Sequence, residues 1–285
     1  RSFTGHTAAV NSVALSSDDS QVLTASADNT AKLWNTGTGA EIRTFTGHGA
    51  PVLSAAFSTD GTQVLTASQD FTAKLWNAGT GAGVGSFEGH ENPLISAAFS
   101  PDSSQVLTAS LDNTVRLWTT ATATQTKEFS VHTAAVYSVA FSPSGGTVLV
   151  GGGIACGSTG DSCPGQADAE IRLWNTVTAA LTGALTEHVN AVTSVAFSAD
   201  GTRILSGSRD GTAKLWDAAG GASLKTFAAS SSGPVNAVAF SPDGTKVLTG
   251  TSDNIAYLWS IETGLPLVTF SGHADAVLSL AFAPN

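Results

Sequence analysis

GHTAAVNSVALSSDDSQVLTASADNTAKLW, residues 5–34, decides the fold, because its opening Gly-His and its closing Leu-Trp return along the chain at one spacing. His6 and Trp34, His48 and Trp76, His90 and Trp118, and His188 and Trp216 each stand 28 residues apart. Successive tryptophans are separated by 42, 42, 56, 42 and 43 residues, so one supersecondary unit of about 42 residues is copied along the chain.

The copied unit reads as four strands. In the first copy, residues 10–16 (VNSVALS) alternate around Val10, Val13 and Leu15, and the turn Ser17-Asp18-Asp19-Ser20 ends the run. Residues 21–26 (QVLTAS) form a second β-rich run, closed by Ala27-Asp28-Asn29-Thr30. Residues 31–34 (AKLW) are the third, and residues 41–46 (EIRTFT) are the fourth. A sheet of four such short strands cannot bury both faces by itself. Copies arranged radially solve this by packing each sheet on the next, which makes the architecture a β-propeller.

Several motifs sharpen this: Gly5-His6, Gly47-His48, Gly89-His90 and Gly272-His273, the Ser-Pro-Asp-Gly turn at 241–244, and six Leu-Trp pairs. Through them the chain resembles the WD-repeat β-propeller family over nearly everything outside an insertion near 153–166. One departure is that Asp follows Trp only at Asp217, with Asn35, Asn77, Thr119, Asn175 and Ser260 at the other five places. The family tolerates this.

Innermost-type strands can be counted at Val10, Val52, Leu94, Val136, Val192, Val235 and Val277, seven in all, whereas second and third strands occur six times. Residues 1–4 (RSFT) match the outer strand that precedes each Gly-His. The expected fold is therefore an all-β WD-repeat propeller of seven sectors, six complete four-stranded blades and an incomplete seventh. The seventh would take its outer strand from 1–4 and its inner strand from 277–283, within a single domain spanning 1–285. Its unpaired edges would be open to strand addition by another chain.

A net charge of −10 with twelve Lys and Arg leaves no basic stripe, which argues against nucleic acid or an anionic membrane as partner. No apolar run approaches the ~18 residues of a membrane-spanning helix. The absence of Met, including at position 1, fits a processed form, a domain or a cut piece of a longer chain.

The residues that look most like chemistry recur from copy to copy, complete in four of them. They are His6, Ser26, Asp28 and Trp34; His48, Ser68, Asp70 and Trp76; His90, Ser110, Asp112 and Trp118; and His188, Ser208, Asp210 and Trp216. Ser, His and Asp together invite a hydrolase reading, but an enzyme needs one site, and a set present in blade after blade must serve the blade. The family resemblance implies a hydrogen-bonded chain from the indole N–H through Ser and His to Asp. Unit four keeps His132, Asp168 and Trp174 with Gly152 at the Ser position, and unit six keeps Thr251, Asp253 and Trp259 with no His in 228–233, so both blades should be looser.

Cys156 and Cys163 both lie in the insertion, and their C-x6-C spacing is not that of a zinc site. A disulfide is the favoured reading, with two free thiols as the alternative, and a disulfide would tilt the location towards periplasmic or extracellular.

By the same resemblance, the Gly-His loops and the turns between second and third strands share the narrower face, where partners bind. The distinctive residues there are Gln69, Phe71, Leu111 and Arg209, with Glu91 and Asn92 beside them. The expected function is a non-enzymatic scaffold binding a protein or peptide on that face. The alternative is a sensor or regulatory domain excised from a larger multidomain protein. No catalytic, cofactor-binding or metal-binding cluster is evident: the sequence has no paired His, no Gly-rich phosphate loop and no isolated carboxylate dyad.

Overall fold

The computed structural model describes residues 2–130, 134–154, 169–228 and 233–283. Its regular elements are twenty-four strands in six four-stranded antiparallel sheets, each a meander of consecutive strands. The chain divides into two compact units, Arg1–Ser130 with Ala283–Asn285, and Val131–Phe282.

The first unit holds three blades. Blade 1 is β1 (Val10–Leu15), β2 (Gln21–Ser26), β3 (Ala31–Asn35) and β4 (Glu41–Phe45). Blade 2 is β5 (Val52–Phe57), β6 (Gln63–Ser68), β7 (Ala73–Asn77) and β8 (Gly83–Phe87), and blade 3 is β9 (Leu94–Phe99), β10 (Gln105–Ser110), β11 (Thr114–Thr119) and β12 (Thr124–Ser130). The second unit holds blade 4, with β13 (Val136–Phe141), β14 (Thr147–Gly152), β15 (Ile171–Asn175) and β16 (Leu181–Leu185). It continues with blade 5, β17 (Val192–Phe197), β18 (Arg203–Ser208), β19 (Ala213–Asp217) and β20 (Ser223–Phe227). Blade 6 is β21 (Val235–Phe240), β22 (Lys246–Thr251), β23 (Ala256–Ser260) and β24 (Pro266–Phe270).

The turns follow from side chains that satisfy the local backbone. Between first and second strands, Ser58 Oγ donates to Asp60 Oδ1 at 2.7 Å while the Thr62 amide donates to the same oxygen at 3.0 Å. The arrangement repeats around Asp18, Asp102, Asp200 and Asp243. Between third and fourth strands, Asn35 Oδ1 accepts from the Thr38 amide at 2.8 Å, and Asn77 and Asn175 serve Thr80 and Thr178 in the same way. Asp217 Oδ2 accepts from the Gly220 amide at 2.7 Å. The position after Trp needs an acceptor oxygen rather than a charge, which is why Asn stands there as well as Asp.

The cores lie between blades. One cluster joins Leu23, Leu33 and Phe45 of blade 1 to Val52, Val64 and Trp76 of blade 2. The same arrangement joins blades 2 and 3, blades 4 and 5, and blades 5 and 6. Each second strand meets the next inner strand so closely that volumes must match. A Cβ at Gly207 would stand 2.7 Å from Val235 Cγ1 and 2.8 Å from Val238 Cγ1, and one at Gly151 would stand 2.9 Å from Val192 and Val195. In blades 1 and 2 the corresponding residues are Ala25 and Ala67, and there the following inner strands carry the small Ala55 and Ala97 in place of Val.

The strands expected at 1–4 and 277–283 are not formed: residues 2–9 and 271–283 carry no strand, because no neighbouring strand is present to pair with them. Arg1 and most of the 153–166 insertion lie outside the described residues.

Gly207→Ala is expected to destabilise the fold by ~1–3 kcal/mol through overpacking. Adding Val238→Ala should recover part of the loss, so that the double variant melts above the sum of the single losses in a thermal-denaturation cycle.

Candidate functional site

The blade ends entered through His6, His48, His90 and His188 are each tied by a buried polar chain. In blade 2, Trp76 Nε1 donates to Thr66 Oγ1 at 2.9 Å, His48 Nε2 lies 2.7 Å from Thr66 Oγ1, and His48 Nδ1 lies 2.8 Å from Asp70 Oδ2. Asp70 also accepts from the Gly49 amide at 2.9 Å and from Thr72 Oγ1 at 2.7 Å. The chain recurs as Trp34–Thr24–His6–Asp28, Trp118–Thr108–His90–Asp112 and Trp216–Ser206–His188–Asp210.

The bridging hydroxyl is not the one expected. Ser26, Ser68, Ser110 and Ser208 lie two residues further along the second strand. There they donate to the carbonyls of Ala8, Ala50, Asn92 and Asn190 and accept from the amides of Asp28, Asp70, Asp112 and Asp210. Strand register explains the difference: Trp76 stands opposite Val64, so its diagonal neighbour on the same face is Thr66, and Ser68 is a further pleat away. Counting back from Trp to its cross-strand partner would have identified Thr66. In blade 6, Trp259 Nε1 likewise donates to Thr249 at 2.9 Å, while Thr251 bonds Asp253. In blade 4 the equivalent residue is Val150, which has no hydroxyl, and His132 and Asp168 lie outside the described residues.

Titration follows from burial and partners. Burial alone would raise Asp210, but the hydrogen bond and charge of His188, followed by Thr212, outweigh it and hold the carboxyl at about 2. Asp28, Asp70 and Asp112 are also held low against the effect of burial. Burial pushes His48 and His90 below the usual 6.5, and the neighbouring Asp70 and Asp112 oppose this only in part. A neutral imidazole then sets the direction of the chain: Nδ1–H donates to Asp, Nε2 accepts the hydroxyl proton, and the hydroxyl oxygen accepts the indole N–H.

The distinctive loop residues sit at these same blade ends. Glu91 and Leu111 belong to segments joined through Asp112, which accepts from the Glu91 amide at 3.2 Å, and Ser110 Oγ donates to the Asn92 carbonyl at 3.0 Å. Gln69 and Phe71 occupy the matching turn of blade 2 and are exposed. In the second unit, the Arg209 guanidinium lies 5.5 Å from the Tyr137 ring centroid. Phe71 stands apart. It is 43% exposed and has φ 71°, at a turn position occupied in other blades by Asn29, Asn113, Gly211 and Asn254, all likewise left-handed. A bulky side chain is strained in that region.

A groove of about 730 Å³ lies between blades 4 and 5 at the opposite blade end. Its carboxylates are already engaged, Asp200 by Ser198 and Thr202 and Asp217 by the Gly220 amide. Among the described residues, no group of three His, Cys, Asp or Glu could hold a metal ion. No helix among the described residues is long and apolar enough to cross a membrane. The disulfide expected between Cys156 and Cys163 is corrected: no cysteine pair stands at disulfide distance, and both residues lie outside the described residues. The compartment argument that rested on the bond falls with it.

The repeated polar chain on a four-stranded blade defines a repeat scaffold. The WD domain, G-beta repeat family matches residues 1–35, 39–77, 81–119, 123–175, 180–217 and 221–260, and the chain belongs to this WD40 propeller family, all-β with six four-stranded blades. It is 42% identical over 53 residues to Periodic tryptophan protein 2 of Arabidopsis thaliana, a match covering 19% of this chain and 6% of that protein. It is 54% identical over 48 residues to Vegetative incompatibility protein HET-E-1 of Podospora anserina, covering 17% of this chain and 3% of that protein.

Thr66→Val is expected to cost ~1–3 kcal/mol by leaving the Trp76 N–H and His48 Nε2 without their partner, and to shift the Trp76 indole N–H resonance. Ser68→Ala should leave that resonance in place. If Ser68→Ala moved it and Thr66→Val did not, the assignment of the bridge would be wrong.

Acid should destabilise the protein in two steps. His48 and His90 titrate lower folded than unfolded, so their contribution is present above 6.5 and is lost as pH falls through the lower folded value. The depressed carboxylates contribute fully above 3.8 and lose that contribution as pH falls towards about 2, the value for Asp210. Melting temperatures measured from pH 8 to pH 2 should therefore decline below 6.5 and more steeply below 3.8; a flat profile would contradict this.

Proposed function

We propose that the chain is a non-enzymatic scaffold that binds a protein or peptide on the narrow face, through Gln69, Phe71, Glu91, Asn92 and Leu111 in the first unit; in the second unit Arg209 is, separately, the candidate contact residue. WD40 propellers commonly bind proteins or peptides. The observation that carries the reading for this chain is Phe71, an exposed aromatic held in a strained backbone conformation where other blades use Asn or Gly. Strain retained at an exposed turn is best accounted for by a contact made there. The net charge of −10 favours a partner other than nucleic acid or an anionic membrane.

A second reading, a sensor or regulatory module of a larger multidomain protein, is favoured by the relatives, whose matched segments form 6% and 3% of their length.

We further read residues 1–4, in the first unit, as matching the outer strand of a repeat and residues 277–283, in the second, as matching the inner strand of a repeat. Phe3 supports this by packing on Trp34 at 5.9 Å between ring centroids, as Phe45 packs on Trp76 at 5.8 Å. Val277 supports it by standing against Gly250 as Val235 stands against Gly207.

Phe71→Asn should stabilise the fold by about 1 kcal/mol through relief of the left-handed strain and should weaken capture of the protein's partner, as should Leu111→Ala. A Phe71→Asn variant that melts below wild type, or that keeps full partner capture, would remove the support for this face.

A further inference from the structure

On each fourth strand one residue stands opposite the Leu of the third strand. It is Arg43 opposite Leu33 in blade 1, Lys225 opposite Leu215 in blade 5, and Gly183 opposite Leu173 in blade 4. Arg43 crosses to the next blade, where Nη1 donates to the Thr80 carbonyl at 2.8 Å and Nη2 to the Gly79 carbonyl. Lys225 Nζ crosses in the same way and donates to the carbonyls of Ile261 at 2.8 Å and Glu262 at 2.6 Å. Both stems run over the glycine of the turn they reach. A Cβ at Gly81 would stand 2.8 Å from Arg43 Cδ, and one at Gly264 3.0 Å from Lys225 Cδ.

Between blades 4 and 5 the sequence supplies no such cation. Gly183 has no side chain to send across, and the corresponding carbonyls belong to Ala218, Ala219 and Gly220, which line the groove of about 730 Å³. The groove between blades 1 and 2, in which Arg43 lies, measures about 470 Å³. Its Leu33 is 1% exposed, and Leu215 behind Lys225 is 3% exposed, whereas Leu173 is only partly buried. The charge is reversed as well. The residue after Trp is Asn77 in the groove of Arg43 and Ser260 at the turn that receives Lys225, but Asp217 in the groove without a cation. The Gly220 amide takes only Oδ2 of Asp217, and a carboxylate can accept about four hydrogen bonds. A glycine opposite Leu does not make such a groove alone. In blade 2, a Cβ at Gly85 would stand 3.7 Å from the Ala123 Cβ of the next turn, and Thr119 follows Trp there.

We propose that the groove between blades 4 and 5 binds an arginine side chain of a partner peptide, which takes the place that Arg43 takes between blades 1 and 2. Its guanidinium donates to the turn carbonyls of Ala219 and Gly220 and to Asp217, and its stem packs on Leu173 and Phe197. Arginine suits the groove better than lysine, because a planar fork of five donors can serve two carbonyls and a carboxylate together. Asp217 and Asp200 in the groove, on a chain of net charge −10, draw a cationic partner. The site lies at the blade end opposite the Gly-His loops and does not depend on narrow-face binding.

The probes are the peptide acetyl-Ala-Arg-Ala-amide and its citrulline and lysine counterparts, titrated into the isotope-labelled full chain and followed by amide resonances. Saturable shifts at Gly183, Ala218, Ala219 and Gly220 are expected with the arginine peptide. Citrulline, similar in shape but uncharged, should bind about tenfold more weakly, the loss that accompanies hydrogen bonds to a charged group. Asp217→Asn introduces the residue that follows Trp in blades 1, 2 and 4, so it keeps the turn acceptor and should weaken the arginine peptide by a similar factor. Gly183→Arg should fill the groove from within and abolish the shifts, with a melting temperature at or above wild type. Guanidinium ion alone, at the same concentration, should not reproduce the shifts, because it has no stem to pack. Absence of saturable shifts, shifts confined to other residues, or binding indifferent to Asp217→Asn or Gly183→Arg would overturn the proposal. So would a citrulline or lysine peptide that binds as tightly as the arginine peptide, or guanidinium ion that binds as tightly, because the occupant would then not be an arginine side chain.

Discussion

No blade in this chain has a core of its own. Phe45 belongs to β4, but Trp76 of the next repeat helps to bury it, and Leu23 and Leu33 are covered from the same side. A tryptophan must therefore arrive at the same phase in every copy, which makes the repeat period a packing constraint. The insertion in unit four obeys it. The Trp-to-Trp step lengthens to 56 residues, yet β14 and β15 keep the common register, with Val148 opposite Trp174 as Val64 is opposite Trp76. Extra chain between the second and third strands leaves that register unchanged.

The six four-stranded blades and their strand order were legible in the sequence because the constraint acts on spacing, and spacing survives substitution. The hydroxyl of the polar chain was harder to read. Ser26 and Ser68 recur as regularly as Thr24 and Thr66, so recurrence could not choose between them, whereas the register of Trp against Val does. Matching of volumes between blades was hidden for a similar reason. Gly207 and Ala67 look interchangeable until Val238 and Ala97 are seen to face them from the next inner strand. The cysteine pair had no repeat to check it against, and its reading as a disulfide did not stand.

Where the copies agree, the residues hold the blade together; where one departs at an exposed place, the departure needs its own cause. Position 71 shows the difference. The sequence gives an apolar residue on a turn, which on its own means little. The backbone gives φ 71° at that residue, where Asn and Gly serve the other blades, and so turns an unremarkable side chain into a strained one.

The polar chain itself argues against catalysis by these residues, through geometry rather than repetition. In a serine-type nucleophile the hydroxyl faces substrate and gives its proton to His. Here Thr66 also hydrogen-bonds His48, but its oxygen already accepts the Trp76 N–H and it is fully buried, so no substrate carbonyl can approach it. Asp70 is likewise filled, by His48, the Gly49 amide and Thr72. A network with its donors and acceptors so matched has no capacity left for a reacting group, and that saturation is what lets charged and polar atoms sit under the blade end without destabilising it.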